Sequence, residues 1–185
     1  MTARPQPTDD LPADMQAILD MTKAGMGFVP NSMRTMAKRP GLLKGMVGLF
    51  SDIVGPDCLI DPGLRQMVAY MSSYGSGCVY CQAHTSHGAE RSGVDAEKIA
   101  NLWQFETSNH FDARERAALA FALASGQVPN AVTESHFEAL RVHFSEEEIL
   151  DLTAILSIFG FLNRWNDTMG TTLEAEPVAF AGAAL

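Results

Sequence analysis

Two cysteines three residues apart, Cys78 and Cys81, are the side chains of this chain best suited to do chemistry. They lie in the segment Tyr74-Gly75-Ser76-Gly77-Cys78-Val79-Tyr80-Cys81-Gln82-Ala83-His84-Thr85-Ser86-His87. The glycines are suited to end one helix, and the cysteines then open the next. Residues three apart share a helix face, so the two sulfurs can approach each other across the first turn. Unpaired amide N–H groups and the positive end of the helix dipole lie at that turn. Both favour thiolate over thiol, and the thiolate is the nucleophile. His84 follows Cys81 by three residues on the same face, where an imidazole can take or hold a thiol proton. His87 has turned away, and Tyr80 and the glycines read as structural. The chemistry expected is a dithiol/disulfide cycle with Cys81, Cys78 and His84 as its catalytic residues.

A metal centre fits the same residues poorly. Four ligands drawn from Cys78, Cys81, His84 and His87 would spread over about 13 Å of one helix axis, too wide for a tetrahedral site. Gln82 rather than histidine follows Cys81, which excludes covalent c-type haem attachment. Nothing in the sequence calls for a cofactor. The third cysteine, Cys58, lies alone and reads as a small loop hydrophobe. An odd cysteine count does not suit a secreted disulfide framework.

The elements that must position this pair are all helices. Apolar and polar residues do not alternate cleanly over any stretch long enough to support a strand. Helix starts are marked by Asp61-Pro62 and by the capping boxes Asp112 to Glu115 and Ser145 to Glu148. Glycines 55, 75, 93, 126 and 170 punctuate helix ends. These signals predict helices over 12–25, 31–38, 41–54, 62–75, 78–92, 95–104, 112–125, 133–143 and 146–169. The last is apolar on most faces, so it is expected to be central or shared with another subunit. Residues 11–173 form one all-α domain in this reading, with a flexible N-terminus over 1–10 and a loosely ordered tail over 174–185. An internal helical duplication is also legible: Val29-Pro30-Asn31 matches Val128-Pro129-Asn130, and in the second register Cys78 and Cys81 fall opposite Asn163 and Asn166.

Composition narrows the partners. The chain has 185 residues, 46% of them hydrophobic, and a formal net charge of −9. That acidity, without a basic stripe, argues against nucleic acid and anionic membrane surfaces. The N-terminal decapeptide has no apolar core, and the stretch Leu152 to Leu162 is too short to span a bilayer. A cytoplasmic location is the expectation.

In this helical setting the motif resembles the alkylhydroperoxidase D-like family, within the carboxymuconolactone decarboxylase superfamily. The likeness runs over roughly residues 40–170 and is strongest from Asp61 to Trp103. Phe161-Leu162-Asn163-Arg164-Trp165-Asn166-Asp167 resembles the last helix of the peroxidase-related subset. The resemblance implies a helical homo-oligomer (dimer, trimer or hexamer) acting as a thiol-dependent peroxidase in antioxidant defence. It makes Cys81 the thiol that attacks a small hydroperoxide and Cys78 the one that resolves it, with a thiol or dithiol protein as reductant. Two positions depart from the family pattern. Gln66 stands where the proton-relay glutamate belongs, and an amide cannot accept a proton in that role. The family histidine follows the second cysteine by four residues, the place Thr85 holds here. A lyase of the decarboxylase branch and a non-catalytic helical oligomer are the competing readings; the cysteine pair argues against the first.

Overall fold

The computed structural model describes residues 3–178, and among them the chain is helical throughout, with no strand. The sequence expectations for residues 1, 2 and 179–185 lie outside the described residues. The helices are α1 (Ala13–Met26), α2 (Asn31–Met36), α3 (Pro40–Ile53), α4 (Pro62–Ser76), α5 (Val79–Arg91), α6 (Ala96–Ala100), α7 (Ala113–Gly126), α8 (Glu134–Arg141) and α9 (Glu146–Met169). The predicted all-α class is therefore the observed one. No described helix is long and apolar enough to cross a membrane.

The capping chemistry explains the boundaries. Asp61 accepts from the Leu64 amide at 2.9 Å with Pro62 in the first turn, and Asp112 and Ser145 each form complete capping boxes with Glu115 and Glu148. One predicted helix divides. The stretch 95–104 breaks at Asn101, whose side-chain amide returns to the Glu97 carbonyl at 2.8 Å, and continues as a 3-10 turn over Leu102–Gln104. A side chain that competes for a helical carbonyl in this way ends the regular ladder.

Two apolar clusters build the molecule. The larger is centred on α4, which buries Leu64, Met67, Val68, Ala69, Tyr70 and Met71 against α5, α7 and α9. The smaller joins α1, α2 and α3 through Met15, Leu19, Met33, Met36 and Leu43. Phe50 and Leu162 pack against both. α9 is less uniformly buried than its composition suggests: Leu150, Thr153, Ser157, Gly160, Phe161 and Arg164 form an outward stripe.

The end of the bundle that carries the cysteines is set by close helix contact. Gly75 and Gly126 let α4 and α7 approach; a Cβ on Gly75 would lie 2.6 Å from the Leu123 carbonyl oxygen. The Ser76 hydroxyl then donates to the Gly126 carbonyl at 2.8 Å. Gly77, at φ 75°, takes the left-handed conformation that turns the chain out of α4. The Cys78 amide bonds back to the Ser73 carbonyl at 3.0 Å, and α5 begins one residue later.

Candidate active site

The turn at Gly77 places Cys78 at the N-cap of α5, and Cys81 follows at the third helical position. Both thiols are free and buried, at 0% and 3% relative exposure. They differ in what they face. Cys81 lines a cavity of about 570 Å³ between the two apolar clusters, whereas Cys78 lies behind it. They differ also in proton affinity. The Cys81 S–H donates to the Cys78 sulfur, and the Cys81 and Tyr80 amides add their pull; together these outweigh burial and hold the Cys78 thiol below its ordinary pKa. The Cys81 thiol is pushed well up by that same bond to Cys78, by burial and by the neighbouring Cys78 charge. Opposing this, the Asn166 side-chain amide donates to the Cys81 sulfur at 3.4 Å. The Cys81 thiol and the amides at the helix start thus favour the thiolate on Cys78 over Cys81.

His84 lines the same cavity, one turn along α5. Its Nε2 lies 2.6 Å from Glu174 Oε2, so the imidazole is paired with a carboxylate. The ring is clamped on both sides: it stacks on Tyr80 with centroids 4.3 Å apart and meets Phe28 edge-on at 5.3 Å. Glu174 is reached by the chain after α9, where the Asn31 side-chain amide donates to the Thr172 carbonyl at 2.9 Å. Glu174 Oε1 accepts from the Asn31 backbone amide at 2.5 Å and from the Tyr80 hydroxyl at 2.8 Å. Burial works to raise this carboxyl, but the hydrogen bonds from His84, Asn31 and Tyr80 prevail and its pKa lies below its ordinary value. Burial and the Glu174 charge push the Tyr80 hydroxyl up, so it stays protonated.

Gln66 also borders the cavity, with its amide packed over Gly88 of α5. The structure thus brings Cys81, His84 and Gln66 to one cavity, with Cys78 directly behind. Two residues of the site were not singled out from the sequence. Glu174 was assigned to a loose tail, yet its side chain is 9% exposed and holds three hydrogen bonds. Asn166 was visible only as the position opposite Cys81 in the internal repeat and as part of the last-helix resemblance. Among the described residues, no three His, Cys, Asp or Glu side chains converge as a metal ion would require. The cavity walls are mostly apolar, with Met21, Met33, Met46, Phe50, Phe159 and Leu162, and carry polar groups such as Ser32, Thr85 and Arg91.

Residues 40–124 match the Carboxymuconolactone decarboxylase family. Over the whole of both chains, the protein is 35% identical to the debrominase Bmp8, with a TM-score of 0.90. The chain belongs to the alkylhydroperoxidase D-like, carboxymuconolactone decarboxylase superfamily. A cysteine-to-alanine variant of the same debrominase, crystallised with 2,3,4-tribromopyrrole, matches at 34% identity and a TM-score of 0.90 over 100% of this chain and 99% of the other. A peroxidase-related protein with an AhpD core from Ralstonia eutropha JMP134 is 26% identical, with a TM-score of 0.82 over 95% of this chain and 96% of its own. YnjA of Escherichia coli K12 is 29% identical over 111 residues, and the match spans 60% of each protein. Superfamily membership sets the class, an all-helical fold whose named members include enzymes. The choice of substrate belongs to the site.

Proposed function

We propose that the protein is a dithiol oxidoreductase that reduces an apolar substrate held in the cavity over Cys81, with a hydroperoxide as the leading substrate class. The observation that carries this reading is the division of labour within the pair. Cys81 meets the cavity, while Cys78 does not line it and is the more acidic thiol of the two. Transfer of the Cys81 proton to Cys78 along their hydrogen bond makes Cys81 the thiolate. Cys81 then attacks the terminal peroxide oxygen, the O–O bond breaks, and the alcohol leaves with a proton. The resulting Cys81 sulfenic acid is attacked by Cys78, releasing water and forming the disulfide. An external thiol or dithiol protein restores the pair.

A second reading is favoured by the likeness to a debrominase and by the apolar walls. Cys81 attacks a halogen on a heteroaromatic ring, the carbon takes up a proton, and Cys78 displaces halide from the Cys81 sulfur as the disulfide forms. Both reactions are two-electron reductions that spend the same dithiol.

Mass spectrometry after one equivalent of cumene hydroperoxide or 2,3,4-tribromopyrrole tests the reading. The wild type is expected to gain a Cys78–Cys81 disulfide with one of them. Cys81→Ser is expected to abolish the reaction, and Cys78→Ser to react once and stop. No disulfide with either compound would overturn the proposal; sulfenic acid trapped in Cys81→Ser would reverse the two roles. We further propose self-association through the outward stripe of α9, which light scattering at micromolar concentration would report as a mass above 20.0 kDa.

A further inference from the structure

We propose that Glu174 is a positioning residue that turns His84 into the proton donor for the departing atom of the substrate, rather than a base for Cys81. The inference rests on the dithiol reading above and adds a role that reading leaves unfilled. When Cys81 attacks, the fragment that leaves must be protonated: the alkoxide of a hydroperoxide, or the ring carbon of a halide. Neither cysteine suits this task, since one is bonded to the substrate atom and the other lies behind it.

The geometry selects His84. It lines the cavity with Cys81, while the side chain that donates to the Cys81 sulfur is Asn166, at 3.4 Å. Its Nε2 is committed to Glu174 at 2.6 Å. Among the described residues, Nδ1 has no hydrogen-bond partner. A carboxylate on one ring nitrogen fixes which nitrogen carries the standing proton and balances the imidazolium that forms when the other is protonated. Nδ1 is then the position that gains and gives up a proton. The Tyr80 stack and the Phe28 edge hold the ring plane, so the donor is oriented before substrate arrives.

Glu174 is itself fixed at both oxygens, by the Asn31 amide and the Tyr80 hydroxyl on one and by His84 on the other. Of the other ionisable groups on this wall, Tyr80 donates to Glu174, Arg91 donates to the Met26 and Gly25 carbonyls, and His87 is disfavoured as a cation by burial and by nearby Arg91 and His84, with Glu90 and Glu176 opposing. Gln66, where the family glutamate is expected, packs over Gly88, one turn of α5 beyond His84. The carboxylate missing at position 66 is thus supplied from the far end of the chain.

In the peroxide case the atoms balance as follows. Cys81 thiolate, Cys78 thiol, ROOH and imidazolium become the disulfide, ROH, water and neutral imidazole. His84 regains its proton from solvent as the reductant reopens the disulfide.

Glu174→Gln preserves shape and removes the charge. Steady-state turnover with cumene hydroperoxide or tribromopyrrole is expected to lose about 10²-fold in kcat with KM within about threefold, the scale of a lost acid catalyst. Alkylation of Cys81 by iodoacetamide is expected to proceed at the wild-type rate, because the pair acts on substrate and not on the thiol. ¹⁵N spectra of the His84 ring are expected to change from one nitrogen carrying the proton to a mixture of both. Glu174→Asp, which keeps the charge, is expected to recover most of the spectrum and part of kcat. An unchanged ring spectrum and kcat in Glu174→Gln would overturn the proposal. So would an equal loss in turnover and in Cys81 alkylation, which marks His84 as the thiol's base. Failure of the dithiol reading itself is separate: it appears as a wild type that forms no Cys78–Cys81 disulfide, while the ring spectrum still decides whether Glu174 sets His84.

Discussion

Asn166 offers a perturbation whose effects on reactivity and on stability have opposite signs. Its side-chain amide donates to the Cys81 sulfur at 3.4 Å, while its carbonyl oxygen is buried without a partner among the described residues. Asn166→Leu keeps much of the volume and removes both groups. A hydrogen bond to an ionised partner contributes roughly 1.5–3 kcal/mol. Taking the low end for a bond to sulfur, its loss raises the Cys81 pKa further and disfavours its thiolate about tenfold. Cys81 is already pushed up, so its thiolate is the minor form near neutrality and attack is expected to slow about tenfold. Stability goes the other way. An unpartnered buried amide oxygen costs about 1–3 kcal/mol, against about 0.5–1.5 for the weak bond that is lost when the thiol is neutral. The variant is therefore expected to be neutral or about 1 kcal/mol more stable, up to about 4 °C in melting temperature for a chain of this size. Iodoacetamide alkylation across a pH series, read at each cysteine by peptide mass spectrometry, measures the first effect and a thermal melt the second. An unchanged Cys81 profile, or a less stable variant, would refute the argument that this amide serves the thiolate at the expense of the fold.

Three further outcomes follow from the geometry. Gly126→Ala would bring a Cβ onto the backbone of α4, 2.8 Å from the Ser72 carbonyl carbon and 2.9 Å from its Cα, and is expected to cost more than about 3 kcal/mol in urea unfolding, since no rotamer change can relieve it. Gln66→Glu is expected to change hydroperoxide turnover less than about threefold, because Glu174 already holds His84; a gain near the full general-acid range of about 10²-fold would show that position 66 is the working relay site. The Glu174 carboxyl has a folded pKa below its ordinary 4.5, so its stabilising contribution is complete above that value and is lost as pH falls through the folded pKa. Melts of wild type and Glu174→Gln are thus expected to differ at neutral pH and to converge as pH falls through the folded pKa, below 4.5.

The local grammar of the chain was readable where side chains act on their own helix. Asp112 and Ser145 announce their capping boxes from residue type and spacing alone, and the structure completes both. The cysteine pair was readable for the same reason, since three residues on one helix fix a shared face. Asn101 was misread because its competition for a carbonyl depends on a rotamer. The charge distribution within the pair was also hidden. Cys78 lies one residue outside the helix, at the left-handed turn of Gly77, and its contact with Cys81 makes the two thiols unequal, which spacing alone does not show. Glu174 left no local trace. Its partners Tyr80 and His84 are 94 and 90 residues away in sequence, and only the docking of the segment after α9 against Asn31 brings them together.

The cavity lies on the seam between two apolar clusters, and only Phe50 and Leu162 among its lining residues pack against both. Regions with their own small cores open at a fraction of the global unfolding free energy. The α1–α3 layer has such a core, so it is expected to separate from α9 and α5 while the α4-centred core stays closed. Amide deuteration would register this as exchange in α1–α3 well ahead of exchange in α4 and α7. The thiol pair, though almost wholly shielded in the resting fold, then samples solvent at the breathing frequency of that layer, and substitutions among its methionines tune how often a solute reaches Cys81 without touching the sulfur chemistry.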